Sequence, residues 1–99
     1  MKKLVVVFVV MAVSGCISGE NVENACVSLC KSYDGDLSNG PCLSDDNPEW
    51  DIDDWVCDVA HNPREDVDNL PENQCKEYRE GYAKHFVEVD ENCKVIRVR

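Results

Sequence analysis

The chain has 99 residues, of which 20 are acidic and 10 basic, so its formal net charge at pH 7 is −10. A chain of this length forms one small domain with a limited core. Its negative charge repels nucleic acid phosphates and anionic lipid headgroups, which excludes binding to either of them by charge. We therefore expect no nucleic acid partner.

The first 15 residues have the pattern of an export signal. Lys2 and Lys3 precede an apolar run over residues 4–13, and the small residues Ser14 and Gly15 follow it. A basic start, an apolar run and a small-residue exit are typical of a secretory signal peptide. The run is too short to span a membrane, which takes roughly 20 apolar residues. The sequence predicts that residues 1–15 are removed and that the protein is exported.

The end of this signal, Val13-Ser14-Gly15-Cys16, resembles the lipobox of prokaryotic lipoproteins. The resemblance implies that the thiol of Cys16 receives a diacylglyceryl group and that Cys16 becomes the first residue of the mature protein. A thiol is a suitable nucleophile for this attachment, and two acyl chains anchor a protein stably. We expect a partner membrane, reached through the lipid on Cys16 at the outer face of the cell membrane. A secreted protein with a spare cysteine is the alternative.

Six further cysteines remain in the mature chain, which carries a formal charge of −12 once Lys2 and Lys3 are removed from the −10 of the whole. An even number of cysteines in a small exported chain indicates three disulfides. No C-x-x-C pair occurs, so we expect neither a metal site nor a cofactor. The predicted disulfide cysteines are Cys26, Cys30, Cys42, Cys57, Cys75 and Cys93.

The first helix is predicted from apolar residues at helical spacing, namely Val22, Cys26, Leu29, Cys30 and Tyr33. Residues four apart on a helix lie about 5–6 Å apart at Cβ, which is too far for a disulfide. Cys26 and Cys30 should therefore bond to other segments. Of the remaining pairings we favour Cys30–Cys42, Cys57–Cys75 and Cys26–Cys93. Residues 16–24 are predicted to be a short tether, and residues 25–99 the domain.

The rest of the domain is predicted from composition and alternation. Residues 54–60 are rich in Trp and Val and indicate a strand. Residues 70–81 indicate a second helix, with Pro71 near its start and Gly81 at its end. Residues 85–98 hold two alternating runs around a turn, which is typical of a hairpin. The predicted fold is a small disulfide-rich α+β domain, with two helices against a three-stranded, mostly antiparallel sheet.

No motif of a known reaction is present, and we assign no catalytic residue. The acidic run after Ser44 fails the calcium-loop pattern, because Trp50 replaces its glycine and Val56 its last carboxylate. His61 and Arg64 share one turn and are candidate binding residues. They also support the alternative function, a small extracytoplasmic enzyme or metal-dependent module that uses them with nearby carboxylates.

Trp50 is a third candidate binding residue, because it lies between Glu49 and Asp51 in that acidic run. An exposed Trp within carboxylates is suited to binding a basic protein partner. The other interpretation is that Trp50 folds back onto the core.

The mature sequence is similar to small, uncharacterised, cysteine-containing exported proteins of archaea, in the segments "NACVSLCK", "LSNGPC", "DWVCDVAH" and "DNLPENQC". This resemblance implies the compartment and no mechanism. The sequence as a whole favours a lipid-anchored, non-catalytic binding module at the cell surface, with a protein or a small solute as its partner.

Overall fold

The structure is a computed structural model that describes residues 19–99. It has two α-helices and a three-stranded mixed sheet, with three short 3-10 helices in the connections. This confirms the predicted small disulfide-rich α+β domain. In chain order the elements are α1 (Gly19–Ser32), β1 (Trp55–Val59), α2 (Lys76–Arg79), β2 (His85–Val89) and β3 (Val95–Val98). The 3-10 helices are Leu37–Asn39, Asp66–Asn69 and Pro71–Asn73.

Helix α1 forms where the periodicity predicts it, and it buries the predicted face. Val22 and Cys26 are fully buried, and Leu29 is 8% exposed, whereas Tyr33 lies beyond the helix end and is 39% exposed. The helix starts at Gly19, inside the predicted tether. The boundary between residues 24 and 25 therefore needs correction, because Val22 is already part of the core.

The sheet has β2 in the middle. Strands β2 and β3 pair antiparallel, with Glu88 opposite Arg97, and form the predicted hairpin. Strands β1 and β2 pair parallel, with Asp58 beside Glu88, because the chain crosses over between them through α2. Cys42 adds a further antiparallel bridge to Asp58 at the free edge of β1.

The two faces of the sheet carry different residues because side chains alternate along a strand. One face, here called the helix face, packs Cys57, Val59, Val87 and Val89 with the buried residues of α1. The other, here called the cleft face, carries the intervening residues of β1 and β2, which are Val56, Asp58, Phe86 and Glu88. Burial on the helix face holds the domain together.

The second predicted helix is shorter than expected. Residues 70–81 form the 3-10 helix Pro71–Asn73 and the single-turn helix α2, with extended backbone at Gln74 and Cys75 between them. The disulfide of Cys75 lies at this break. Tyr78 and Tyr82 are 42% and 75% exposed, so the expected apolar face of this helix buries little beyond Cys75.

All six predicted cysteines form disulfides, but the favoured pairing is wrong. The bonds are Cys26–Cys57, Cys30–Cys93 and Cys42–Cys75. The exclusion of a Cys26–Cys30 bond agrees with the structure. The three favoured pairs fail because α1 lies across the helix face, which brings Cys26 over β1 and Cys30 to the turn after β2. Cys42 borders the opposite face and meets Cys75 there.

Candidate functional site

Within residues 19–99, a concavity with a volume of about 410 Å³ lies on the cleft face of the sheet. We call it the cleft. Charged and aromatic side chains dominate its walls, and a disulfide cysteine forms part of one side. Its lining consists of Val56, Asp58, Arg64, Gln74, Cys75, Tyr78, Arg79, Phe86, Glu88 and Arg97.

Strand register places a row of charged side chains across the floor of the cleft. Asp58 lies beside Glu88 in the parallel pair, and Arg97 lies opposite Glu88 in the antiparallel pair. Directly paired residues of neighbouring strands are about 4.5–5.5 Å apart at Cβ, close enough to interact strongly. Two carboxyl groups and a guanidinium therefore share one small surface.

Glu88 is the charged centre of this row and is 5% exposed. Arg64 donates to its Oε2 atom at 3.0 Å, and Arg97 donates to its Oε1 atom at 3.0 Å. A buried carboxylate is tolerated when charged donors satisfy its oxygens. Both oxygens of Glu88 are occupied in this way, so the residue orients the two arginines and is not free to act as a base.

Asp58 has a different environment. Burial raises the pKa of Asp58 to about 8, and the adjacent negative charge of Glu88 adds to the effect, against the backbone N–H of Val59 and the charge of Arg64. Its carboxyl group is therefore protonated at neutral pH and can donate a hydrogen bond. A strongly perturbed carboxyl in a cleft is typical of a functional position.

The remaining wall of the cleft is aromatic and basic. Tyr78 and Phe86 pack edge to face, with ring centroids 5.1 Å apart. Arg79 is exposed and forms no ion pair with any residue in 19–99. With Asp58 protonated, Glu88 balances only one of the three arginines, so the cleft is locally positive in a chain whose net charge is −10.

His61 and Arg64, the predicted pair, are positioned by one loop but point to different places. His61 is 8% exposed, and its Nδ1 atom lies 3.0 Å from Oδ1 of Asp68. The side chain of Arg64 extends from the loop into the cleft, where it donates a hydrogen bond to Glu88. The structure thus brings Arg64 together with two carboxyl groups but leaves His61 outside the cleft lining.

Asp68 holds the backbone of this loop in place through hydrogen bonds. Its carboxylate accepts the backbone N–H groups of His61 at 2.8 Å and Glu65 at 2.9 Å, besides contacting the His61 ring. The Asp68 bond raises the pKa of His61. Burial pushes the pKa of Asp68 upward, but these hydrogen bonds outweigh it and hold the pKa below its usual value. The His61–Asp68 pair therefore fixes the conformation of the loop that positions Arg64 at the cleft.

Sequence reasoning missed most of the cleft. Asp58 and Glu88 are single acids within otherwise apolar strand segments, "WVCDV" and "HFVEV", and each occupies the fourth position. A charged residue inside a strand segment that is expected to be buried is a recognisable signal of a polar site. Arg79 and Arg97 give no such signal, because basic residues on a helix or an edge strand are common.

Trp50 lies against the core. Its side chain is half-buried, packs on the helix-face cluster and donates from Nε1 to the carbonyl oxygen of Trp55 at 2.9 Å. The acidic run around it has structural uses, since Asp45 accepts the backbone N–H of Lys76 and Asp54 that of Lys84. This geometry is that of the second interpretation, in which Trp50 folds back.

One group of potential metal ligands is present in residues 19–99, formed by Cys42, Asp58 and Cys75, whose ligand atoms lie within 4.8 Å of one another. The two cysteines are bonded to each other, so their sulfurs are not available as thiolate ligands in this state.

No protein-family model, curated protein or solved structure matches this chain. Among residues 19–99, no helix has the length and apolar character needed to cross a membrane. The predicted signal and Cys16 lie outside the residues that the structure describes.

Proposed function

We propose that this chain is a lipid-anchored binding module at the outer face of the cell membrane, and that its cleft holds a small anionic solute. The observation that carries the binding proposal is the set of three arginines around the cleft, only two of which are engaged by Glu88. Guanidinium groups recognise carboxylate and phosphate oxygens through paired hydrogen bonds. Arg79 supplies a free one at the cleft wall.

The aromatic wall narrows the class of ligand. Tyr78 and Phe86 offer an apolar surface beside the arginines, and the protonated Asp58 offers one hydrogen-bond donor. Small-molecule sites commonly combine an apolar wall with a few polar groups that fix orientation. A monoanion with an apolar or aromatic group fits both the arginines and the aromatic wall, whereas the arginines would repel a cation.

The proposed membrane anchor rests on the lipobox-like sequence that ends at Cys16. Because α1 begins at Gly19, only Ile17 and Ser18 separate Cys16 from this helix. A lipid on Cys16 would thus hold the domain close to the membrane, which suits capture of solutes at the cell surface.

The alternative function, an enzyme built on His61 and Arg64, has less support. His61 lies outside the cleft lining, and Glu88 has both oxygens engaged by arginines. A general base needs a free, correctly placed acceptor near the substrate. Neither group provides one in the cleft.

Binding is tested by titrating the folded protein with benzoate and following amide and aromatic NMR shifts. We expect shifts at Tyr78, Arg79 and Phe86, and none with benzylammonium, which has the same ring and the opposite charge. Arg79→Gln should weaken benzoate binding about tenfold, since a hydrogen bond to a charged group is worth about 1.5 kcal/mol or more. The matched control is Lys31→Gln, which removes one charge on the helix-face side.

Equal shifts with both probes, or equal affinity in Arg79→Gln, would contradict an anion site. Anchoring is tested separately by cell fractionation and intact mass. We expect the wild-type protein in the membrane fraction with the mass of an added lipid, and Cys16→Ser without that mass. A soluble, unmodified wild-type protein would remove the anchor from the proposal and leave the binding result standing.

A further inference from the structure

The Cys42–Cys75 disulfide differs from the other two in where it lies. Cys26 and Cys57 are both fully buried, and Cys30 and Cys93 are 1% and 9% exposed. Cys42, in contrast, is half-buried at the edge of β1, while its partner Cys75 is 3% exposed and forms part of the cleft wall. Cys42 is therefore the most exposed of the six disulfide cysteines and offers the sulfur that an external thiol reaches most easily.

Proton donors surround its two sulfurs. A carboxyl oxygen of Asp58 and the Sγ atoms of Cys42 and Cys75 lie within 4.8 Å of one another. The hydroxyl oxygen of Ser44 accepts the backbone N–H of Cys57 at 3.0 Å, which leaves its proton for sulfur. It lies 3.5 Å from Sγ of Cys42 and 3.8 Å from Sγ of Cys75.

The charges around Asp58 maintain its protonated state. Burial has the largest effect on the pKa of Asp58. Glu88 on β2 and Asp68 in the loop after β1 also disfavour its ionisation, while Arg64 opposes them. Arg79 and Arg97 complete the charged groups of the cleft. At neutral pH Asp58, whose carboxyl oxygen lies within 4.8 Å of both sulfurs, is therefore a carboxylic acid that can release a proton.

The segments joined by this disulfide have other attachments. Leu43 donates its backbone N–H to Cys57 at 2.9 Å, and Val59 donates to Pro41 at 3.0 Å. The backbone N–H of Lys76 is held by the carboxylate of Asp45. Cleavage of the disulfide would leave both sulfurs close together, so that the bond could form again.

From these observations we propose that Cys42–Cys75 is a thiol–disulfide exchange site for an external dithiol, with Asp58 as the proton donor to the departing Cys75 sulfur. This activity is separate from the proposed anion binding and does not depend on it. It also gives a use to the raised pKa of Asp58, whose carboxyl group otherwise accepts only the backbone N–H of Val59 among the bonds of residues 19–99.

The exchange has two steps. A thiolate of the dithiol attacks Sγ of Cys42, the more exposed cysteine; a mixed disulfide forms, the Cys42–Cys75 bond breaks, and the Cys75 thiolate takes the proton of Asp58. The second thiolate of the dithiol then attacks the dithiol's own first sulfur, which is bonded to Cys42. This closes the oxidised dithiol and releases the Cys42 thiolate. The cysteine pair gains two electrons, the dithiol loses two, and solvent returns the proton to Asp58. The reverse sequence reduces the disulfide of a partner and re-forms the Cys42–Cys75 bond.

The first test is limited reduction of the folded protein with dithiothreitol, followed by alkylation and peptide mapping. We expect Cys42 and Cys75 to be alkylated together, while the other four cysteines remain bonded. Simultaneous alkylation of all six, or earlier alkylation of Cys30 and Cys93, would overturn the proposal.

The second test measures the rate constant of this reduction per dithiothreitol thiolate as a function of pH. In the wild type the constant should fall above pH 8, as Asp58 ionises. Asp58→Asn should be about 100-fold slower below that pH and show no such fall, since general acid catalysis contributes about 10²- to 10⁴-fold. Asp51→Asn removes an exposed carboxylate elsewhere and should behave like the wild type.

The wild-type profile provides a result even where the Asp58 variant fails to fold. A constant that stays level through pH 8 would show that Asp58 gives no proton to the leaving sulfur. An unchanged rate in a folded Asp58→Asn protein would show the same.

Discussion

The helix face and the cleft face belong to the same three strands but have opposite properties. On the helix face, apolar side chains and two disulfides are almost completely buried, and the packing of α1 stabilises the domain. On the cleft face, Asp58, Glu88 and three arginines share a small surface with the disulfide that contains the most exposed cysteine, Cys42. One well-packed face can thus stabilise a small domain sufficiently to carry charged groups and a carboxyl group of raised pKa on the other.

The largest expected difference between the faces concerns their disulfides. Cys26–Cys57 and Cys42–Cys75 span 31 and 33 residues, so loop entropy predicts nearly equal losses of about 4 kcal/mol when either is removed. Replacing Cys26 and Cys57 with Ala should cost about 1–3 kcal/mol more, because it leaves unfilled volume in the core. Urea unfolding of both double-Ala variants measures this. Equal losses would show that the two faces are packed alike.

The second prediction concerns the pH dependence of stability. The pKa of Asp58 rises from 3.8 in the unfolded chain to about 8 in the folded protein, so between these pH values the unfolded chain releases a proton that the folded chain keeps. Stability contributed by this group therefore falls as pH rises from 3.8 to 8.

Asp58→Asn should remove this fall and make the domain more stable than the wild type at pH 8 by a few kcal/mol, at about 1.4 kcal/mol per pKa unit. At pH 4 the two proteins should be similar. Unfolding midpoints at both pH values provide the measurement, with Asp51→Asn as the control. A wild-type stability that does not change over this range would show that the pKa of Asp58 is not raised by folding.

A smaller effect is expected for the loop that supports the cleft. Because Asp68 raises the pKa of His61, the stabilisation from His61 is fully present below the unfolded pKa of 6.5 and is lost as pH rises through the folded value. The pKa of Asp68 is lowered, so its own contribution is present above 3.8 and is lost as pH falls through its folded value. The pair therefore stabilises the loop most between about pH 3.8 and pH 6.5.

His61→Gln should reduce stability by about 1 kcal/mol at pH 6 and by less at pH 9, since a net hydrogen bond contributes about that amount. The change should also weaken benzoate binding, because Arg64 belongs to the same loop. His85→Gln is the control, as the side chain of this histidine is 46% exposed and lies near Asp54, away from the Asp68 loop. A larger loss at pH 9 than at pH 6 would contradict the assigned pKa direction.

The smallest expected effect is at Trp50, on the border of the helix face. Trp50→Phe leaves the Trp55 carbonyl without its indole donor, which should cost about 1 kcal/mol or less. Acrylamide should quench the wild type and the variant to a similar, partial extent, because both tryptophans are half-buried. Strong quenching that disappears in Trp50→Phe would instead place Trp50 in solvent and favour a contact with a basic protein partner.

The sequence by itself determined helix α1, the first strand, the hairpin of β2 and β3, and the number of disulfides. Val22, Cys26, Leu29 and Cys30 recur at the helical period, and the residues of 85–98 alternate, because backbone geometry decides which side chains share a face. Six cysteines in a small chain with the pattern of an export signal similarly indicated a disulfide-stabilised domain. These signals depend on neighbours in the chain, and all of them are visible in the chain itself.

Only the tertiary structure decided which segments meet. The parallel pairing of β1 with β2, the approach of Cys26 to Cys57 and that of Cys42 to Cys75 follow from how α1 and the crossover pack on the sheet. The same packing gives Asp58 its raised pKa and separates His61 from Arg64. Burial, charge proximity and disulfide partners are properties of positions in space, which residue spacing along a chain does not specify.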